Sequence, residues 1–300
     1  MFPPASVSSS FTVGITCVSY NRPDATFRCL HALRQNTAHP FFLTVVDNGS
    51  DAAMQDELRK LENDGIVDQL FLHRRNMGVS VAANTGWQAS PCPFYLKVDN
   101  DILPRRADWL DSLLDLCEEE AFAAVAFKLC AWHGSRAALS PLGKRYEATE
   151  SLGGGCILIP KATHETLGFW NEDYMYGWED LEYSNRISLA QGRMAYLRPE
   201  GIVEHLGADD PVRREAYQNK KNGMAGTLTG PESLFLLNTA MFEMNLRPLR
   251  VTRKLLPRFG GDGFVSYTAN PEYAPILTRQ KLFRERFVSG YTEDGLHIKP

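Results

Sequence analysis

The sequence is poor in several features that mark whole classes of protein. Its six cysteines (Cys17, Cys29, Cys92, Cys117, Cys130 and Cys156) are scattered without a C-x-x-C pair, which excludes a zinc-ribbon framework and a disulfide scaffold. Several lie inside apolar runs and read as core residues of a reducing compartment. No stretch approaches the roughly 18 uninterrupted apolar residues that a bilayer-spanning helix requires, and residues 1–10 lack the basic and apolar regions of an export signal. A soluble, cytoplasmic protein is therefore expected. Neither charge sign dominates: 32 Lys and Arg stand against 36 Asp and Glu, for a net charge of −4. That excludes a uniformly basic footprint for nucleic acid, although a local patch can hide within the sum. Repeats and low-complexity tracts are absent too. What remains, 300 residues of which 44% are hydrophobic, has room for one large α/β domain with additions or for two smaller domains.

Apolar, β-rich runs alternate with helical patterns. Residues 11–19 read as a buried strand ending in a loop at Tyr20-Asn21-Arg22-Pro23, and Asp24 is expected to cap the helix that follows, with Phe27, Leu30 and Leu33 on one face. A strand at 41–46, a helix carrying Met54, Leu58 and Leu61, a strand at 69–72, a helix at 79–88 and a strand at 94–98 continue the rhythm. Alternation at this pace predicts a mostly parallel sheet covered by helices on both faces. Beyond a helix at 109–117 and a strand near 123–129, regularity fades through 133–150, which reads as a loop or lid. A strand at 156–159, a helix at 178–190 and a strand at 194–197 follow, then Val203-Glu-His-Leu206. An amphipathic helix over 232–246 and an irregular stretch at 259–275 suggest an appended C-terminal extension.

In such a sheet, ligand-binding groups gather in loops beyond the carboxyl ends of the strands. The strongest signal there is Asp99-Asn100-Asp101. In extended backbone, residues i and i+2 face the same way, so Asp99 and Asp101 can together hold a hard divalent cation that leaves positions open for a diphosphate. The competing reading is a turn in which Asp and Asn satisfy the backbone. A second acidic pair, Glu179-Asp180, lies among Phe169, Trp170, Tyr174, Tyr176 and Trp178. Carboxylates at a helix start are often only caps. Beside aromatic faces they also suit a sugar, whose apolar face a ring covers while a carboxylate takes a hydroxyl proton. His205 is either a structural hydrogen-bonder or the completion of a metal site begun by Asp101.

Together these residues resemble the nucleotide-diphosphate-sugar glycosyltransferases of the GT-A fold, particularly glycosyltransferase family 2. The resemblance runs from Val18-Ser19-Tyr20-Asn21-Arg22 through Val45-Val46-Asp47-Asn48-Gly49-Ser50, Asn76-Met77-Gly78, Asn84-Thr85-Gly86 and Asp99-Asn100-Asp101 to Gly153-Gly154-Gly155, Glu179-Asp180 and His205. Ordered motifs are far more specific than any one of them. The fold implied is α/β and Rossmann-like: a mostly parallel central sheet flanked by helices, with a mainly helical or irregular C-terminal extension. The implied domains are a flexible N-terminus (1–10), a catalytic domain (11–225) with a nucleotide-binding half (11–101) and an acceptor half (102–225), and the extension (226–300).

The resemblance also implies roles. Tyr20, Asn21 and Arg22 border the nucleotide and Asp47 contacts base or ribose. Asn76, Gly78 and Asn84 shape the pocket around the base, and Asp99 and Asn100 serve the donor. Asp99, Asp101 and His205 hold Mn²⁺ or Mg²⁺. Asp180 is the base, Glu179 orients hydroxyls, and Gly154, Gly155 and Trp178 border the acceptor. The implied reaction moves a sugar from a nucleotide sugar, UDP-linked by preference, to an acceptor hydroxyl with inversion; retention stays open. Lys97 departs from the apolar strand usual in similar sequences, which places it on the sheet surface or, as the lesser reading, at the donor phosphates. Arg105 and Arg106 read as surface residues. Arg136, Lys144 and Arg145 either close over a diphosphate or are solvated.

Two other classes compete: a non-catalytic nucleotide-sugar or glycan binder, and a nucleotidyltransferase. A glycan, a lipid-linked glycan, a protein or a modified nucleic-acid base can each offer the acceptor oxygen. Residues 247–286 carry nine basic residues against three acidic ones. They form either a solvated helical face or a surface for something anionic, such as a membrane or nucleic acid.

Overall fold

The computed structural model describes residues 11–207 apart from 91, 130–134, 141, 142, 144, 173, 175 and 176, together with 291, 292, 295 and 296. The expected N-terminal segment, Lys144, Tyr176, the helix at 232–246, the irregular stretch at 259–275 and the basic stretch 247–286 lie outside the described residues. So do residues 208–225 and most of the extension, of which only a short antiparallel pair, Tyr291–Thr292 with Gly295–Leu296, is described.

A nine-stranded mixed sheet organises the molecule. Its first half is built from β1 (Val13–Ser19), α1 (Pro23–Gln35), β2 (Phe41–Asp47), α2 (Ala52–Asn63), β3 (Gln69–Leu72), α3 (Val79–Ala89) and β4 (Phe94–Asp99). Strands β3, β2, β1 and β4 lie side by side in that order, all parallel. The chain thus steps outward from β1 in one direction and returns to its other side with β4. Between β1 and β4 lies the switch point where open α/β sheets form a ligand crevice.

The second half comprises β5 (Ile102–Pro104), α4 (Trp109–Glu119), β6 (Ala124–Phe127), β7 (Ser135–Leu139), β8 (Arg145–Thr149), β9 (Cys156–Pro160), α5 (Lys161–Leu167), α6 (Glu179–Leu189), β10 (Met194–Leu197) and β11 (Val203–His205). It extends the sheet as β9, β6, β10, β8, β7, with β9 and β8 running against the rest. The stretch 133–150, expected as a loop or lid, therefore contains a hairpin that completes the sheet edge. Gly143, with φ of 78°, lies between the two strands. The small ribbon of β5 and β11 stands apart, pairing His205 with Ile102.

Alternation along the strands feeds two cores. On one face Val13, Ile15, Cys17, Leu96 and Val98 pack with α1, α2 and α4, including Leu30, Leu33, Met54, Leu58 and Trp109. On the other face Tyr95 and Ile157 pack with Ala83, Trp87, Trp170, Tyr183 and Ile187, from α3, α6 and the segment before α6. Helix α3 lies close on β1 because Gly86 faces Thr16; a Cβ there would stand 2.2 Å from the threonine methyl. Helix α1 begins at Pro23, a position suited to a ring without an N–H. Asp24 is not its cap, as expected, but sits in the first turn, where its charge complements the helix dipole.

Candidate active site

The loop after β1 is folded tightly. Asn21 and Arg22 both adopt left-handed backbone, with φ of 50° and 60°, a conformation that non-glycine residues hold only where surroundings fix it. Here the Asn21 N–H donates to Ser50 Oγ at 2.7 Å, and the Arg22 guanidinium donates to Asp101 Oδ2 at 2.8 Å. Tyr20, beside them, is among the few large exposed hydrophobic side chains. The neighbouring loops are knitted together from below. Asp47, fully buried, accepts from Ser19 Oγ, the Ser50 N–H and hydroxyl, and the Gln55 amide. Asn48 donates to Asn76 Oδ1 and the Gly78 carbonyl and accepts the Met77 N–H.

These bonds engage three of the residues expected at the ligand. Asp47 has no exposed edge, and its carboxylate serves Ser19, Ser50 and Gln55. Asn84 is fully buried; its amide donates to the Trp170 carbonyl and Glu172 while its carbonyl accepts the Trp170 N–H, which fastens the segment before α6 onto α3. Asn100, also buried, donates to Thr26 Oγ1 and braces the acidic turn against α1. Asn76 and Gly78 stay at the loop, with the Asn76 carbonyl accepting the Gly78 N–H.

The acidic triplet does not behave as one extended segment. Strand β4 ends at Asp99, and Asn100 and Asp101 form a turn, so the alternation that would aim both carboxylates the same way stops between them. Asp99 is ion-paired with Lys97. Asp101, almost wholly buried, turns toward Arg22 and His205, whose Nε2 lies 3.5 Å from Asp101 Oδ1. Burial alone would raise the Asp101 pKa, but His205 and Arg22 outweigh it and hold the carboxyl well below the usual range. His205 reaches this position because β11 pairs with β5 and the Leu206 N–H donates to the Asp101 carbonyl. Its Nδ1 is buried without a hydrogen-bond partner.

Asp101 and His205 supply oxygen and nitrogen donors that suit a small divalent cation. Among the described residues no group of three or more His, Cys, Asp or Glu side chains converges as a metal cage. Of the expected trio, Asp101 and His205 face each other, while Asp99 is paired with Lys97. The two-residue donor set still fits a cation that takes its remaining ligands from a diphosphate and water.

The second acidic pair opens α6 beneath two left-handed residues, Gly177 and Trp178, with φ of 75° and 76°. Three acidic residues in the first turn, Glu179, Asp180 and Glu182, favour this helix start. The buried Glu182–Arg186 ion pair holds α6 in place, because Arg186 also donates to the carbonyls of Leu167 and Phe169. Asp180 accepts the Gly154 N–H at 2.7 Å and the Leu181 N–H at 2.8 Å, an environment suited to a carboxylate anion. Glu179 is buried, and its Oε2 has no hydrogen-bond partner among the described residues. Burial, reinforced by the adjacent Asp180, pushes its pKa up to about 8.

Gly154 and Gly155 form the seam between the two acidic motifs. The Asp99 N–H donates to the Gly155 carbonyl at 2.8 Å, while Gly154 reaches Asp180. A Cβ on Gly154 would lie 2.7 Å from the Trp170 ring, and one on Gly155 2.9 Å from Leu129. Lys97, expected chiefly on the sheet surface, is instead buried at this seam. Its placement follows from the strand period, since Lys97 shares with Tyr95 the face that packs on Trp170. Arg105 and Arg106 are surface residues as expected, paired with Glu204 and Asp108. Arg145 is exposed.

Among the described residues, a nine-stranded α/β sheet whose strand order reverses between β1 and β4, with an acidic turn after β4 tied through Gly154 and Gly155 to an acidic helix start, has the GT-A fold. Within that class the chain resembles glycosyltransferase family 2: residues 15–151 match the family model described as glycosyl transferase family 2. No curated protein matches the sequence. Among solved structures, the mannosyltransferase PcManGT from Pyrobaculum calidifontis, in complex with GDP-Man and Mn²⁺, is similar at 15% identity and a TM-score of 0.55, over 95% of this chain and 86% of that one. GalNAc-T7 with UDP, GalNAc and Mn²⁺ is similar at 16% identity and a TM-score of 0.54, over 92% of this chain; the chain spans only 54% of its length. TarS of S. aureus (1–349) is similar at 14% identity and a TM-score of 0.51, over 82% of this chain and 76% of that one. At these identities the likeness is one of fold. Family match and fold together support a glycosyltransferase.

Proposed function

We propose that the protein transfers a sugar from a nucleotide-diphosphate donor to an acceptor hydroxyl, with inversion, at the crevice between β1 and β4. One observation carries this reading: the Gly154-Gly155 segment links the acidic turn at Asp99 to the acidic helix start at Asp180, so the residues assigned to donor and to acceptor are held side by side. The solved relatives that bind UDP with GalNAc, or GDP-Man, together with Mn²⁺ support the donor class and the cation.

The exposed ring of Tyr20 lies where a base can stack, over a loop framed by Asn76 and Gly78 and shaped by Asp47 and Asn48, while Asn84 holds the segment before α6 against α3. Arg22 lies beside Asp101, where its guanidinium can move between carboxylate and phosphate. Asp101 and His205, with Asp99 alongside, would hold Mn²⁺ or Mg²⁺; bound there, the cation offsets the charge that develops on the departing diphosphate. Asp180 takes the acceptor proton as the hydroxyl oxygen attacks the anomeric carbon, and the sugar–phosphate bond breaks on the opposite face. Glu179, protonated at neutral pH, donates a hydrogen bond to a sugar hydroxyl, and the indole of Trp178 covers the acceptor. Pairs of carboxyls whose surroundings push their proton affinities apart are suited to such divided roles.

The test is release of nucleoside diphosphate from a panel of nucleotide sugars. Expected are activity in the unaltered protein, its loss in Asp101→Ala, and a roughly 100-fold or larger fall in kcat in Asp180→Asn. Full activity in both variants would overturn the site. Pyrophosphate from a nucleoside triphosphate would point instead to a nucleotidyltransferase, and tight donor binding without turnover to a binding protein.

A further inference from the structure

Lys97 is the unusual residue of the central sheet. It sits in the body of β4 and only 2% of it is exposed. A lone ammonium placed there would cost several kcal/mol, so its persistence calls for partners. It has them on both sides: Nζ is ion-paired with Asp99 Oδ1 and donates to the Gly154 carbonyl at 2.8 Å. The Trp170 ring lies 5.7 Å away and limits that space from the α6 side.

We propose that Lys97 is a positioning residue for sugar transfer, fixing the distance between the donor-side carboxylate Asp99 and the acceptor-side carboxylate Asp180 through the Gly154 peptide. The path is short and continuous. Lys97 grips the Gly154 carbonyl, and the N–H of the same residue is donated to Asp180 at 2.7 Å. Gly155 closes the loop by accepting the Asp99 N–H. Gly154 can carry no side chain here, because a Cβ would press on Trp170. The peptide is therefore held between an internal cation and a ring, with the two acidic motifs fastened to its ends. Without the cation, Asp99 loses its counter-charge and the Gly154 carbonyl loses its donor; the base then sits on a seam that can slide. Misplacement of about 1 Å can cost on the order of 100-fold in rate while leaving binding largely intact.

This inference rests on the glycosyltransferase reading, and the experiment separates the two. The unaltered protein, Lys97→Met and Lys97→Arg are compared in three measurements: calorimetric binding of UDP and GDP, kcat and donor KM for nucleoside diphosphate release from the preferred nucleotide sugar, and thermal unfolding. Expected for Lys97→Met is a kcat lower by roughly 30- to 100-fold per nucleotide-binding site, with nucleotide affinity and donor KM changed less than about threefold. Lys97→Arg, which retains a cation and its donors, should keep more of kcat. A Lys97→Met protein with unaltered kcat, one losing kcat and nucleotide affinity in proportion, or equal losses in the two variants would each overturn the proposal. If Lys97→Met does not fold, Lys97→Gln decides, since it removes the charge from the same site with a polar side chain; it should show the same split, and an unaltered kcat there overturns the proposal. Absence of nucleoside diphosphate release by the unaltered protein would count against the glycosyltransferase reading itself.

Discussion

Glu179 and Asp180 are neighbours in sequence with opposite surroundings. Asp180 is served by two backbone donors, whereas Glu179 is buried beside that second carboxylate. The raised Glu179 value carries a stability consequence. Its proton is bound more tightly in the folded chain, at about 8 against an ordinary 4.5. Between those pH values the folded state holds more protons than the unfolded one, so stability falls as pH rises, by up to about 1.4 kcal/mol per unit from this group alone. Glu179→Gln should remove that slope, seen as a smaller difference between denaturation midpoints at pH 5 and pH 8 than in the unaltered protein. Asp101 has the opposite sign. Its pKa is depressed by His205 and Arg22, so its stabilising contribution is present above the ordinary aspartate range and is lost as pH falls below it. The carboxylate types were legible as motifs, but which of each pair is buried was not, because burial depends on elements distant in sequence.

At the scale of elements, α3 links the two halves of the crevice. Its N-terminus follows the Asn76–Gly78 loop, its Gly86 rests on β1, and its Ser80 and Asn84 hold the segment before α6 through the carbonyls of Tyr174 and Trp170. Asn84→Ala would leave a buried N–H and carbonyl of Trp170 without their partner and should lower the unfolding free energy by about 2–3 kcal/mol in urea titration. The loss of kcat should exceed the loss of nucleotide affinity, because the segment freed leads to Asp180. Most elements could be read from apolar runs and helical spacing, among them β3 and β10 to the residue. The elements missed are short or marginal. Strand β5 has three residues behind the acidic turn, α5 is two turns long, and β7–β8 is an edge hairpin with an exposed Leu139. Edge strands lack the two-sided burial that produces a continuous apolar run.

At the scale of the molecule, the parallel strands carry the loops of Tyr20, Asp47 and Asn76, the mixed half carries the Glu179–Asp180 helix start, and the Gly154–Gly155 segment joins the acidic turn to that helix start. A cation held by Asp101 and His205 should be removable. Chelation with EDTA should abolish nucleoside diphosphate release, and Mn²⁺ or Mg²⁺ should restore it; undiminished turnover in chelator would refute the cation's role. Among the described residues, no helix is long and apolar enough to cross a membrane.

The sequence by itself determined the alternation of strands and helices, the loops that carry chemistry and the residue types they hold. These follow from local propensity and the period of side chains along a strand or helix. Only the tertiary structure decided that Asp99 and Asp101 turn to different partners, that His205 reaches Asp101 across the β5–β11 ribbon, and that Lys97 is an internal cation and not a surface one. The first two depend on the turn that breaks the two-residue period after β4, and the third on the elements that cover that face of β4. Pairing across 79 residues, as between Arg22 and Asp101, is set by the packing of the whole sheet, and no local pattern encodes it.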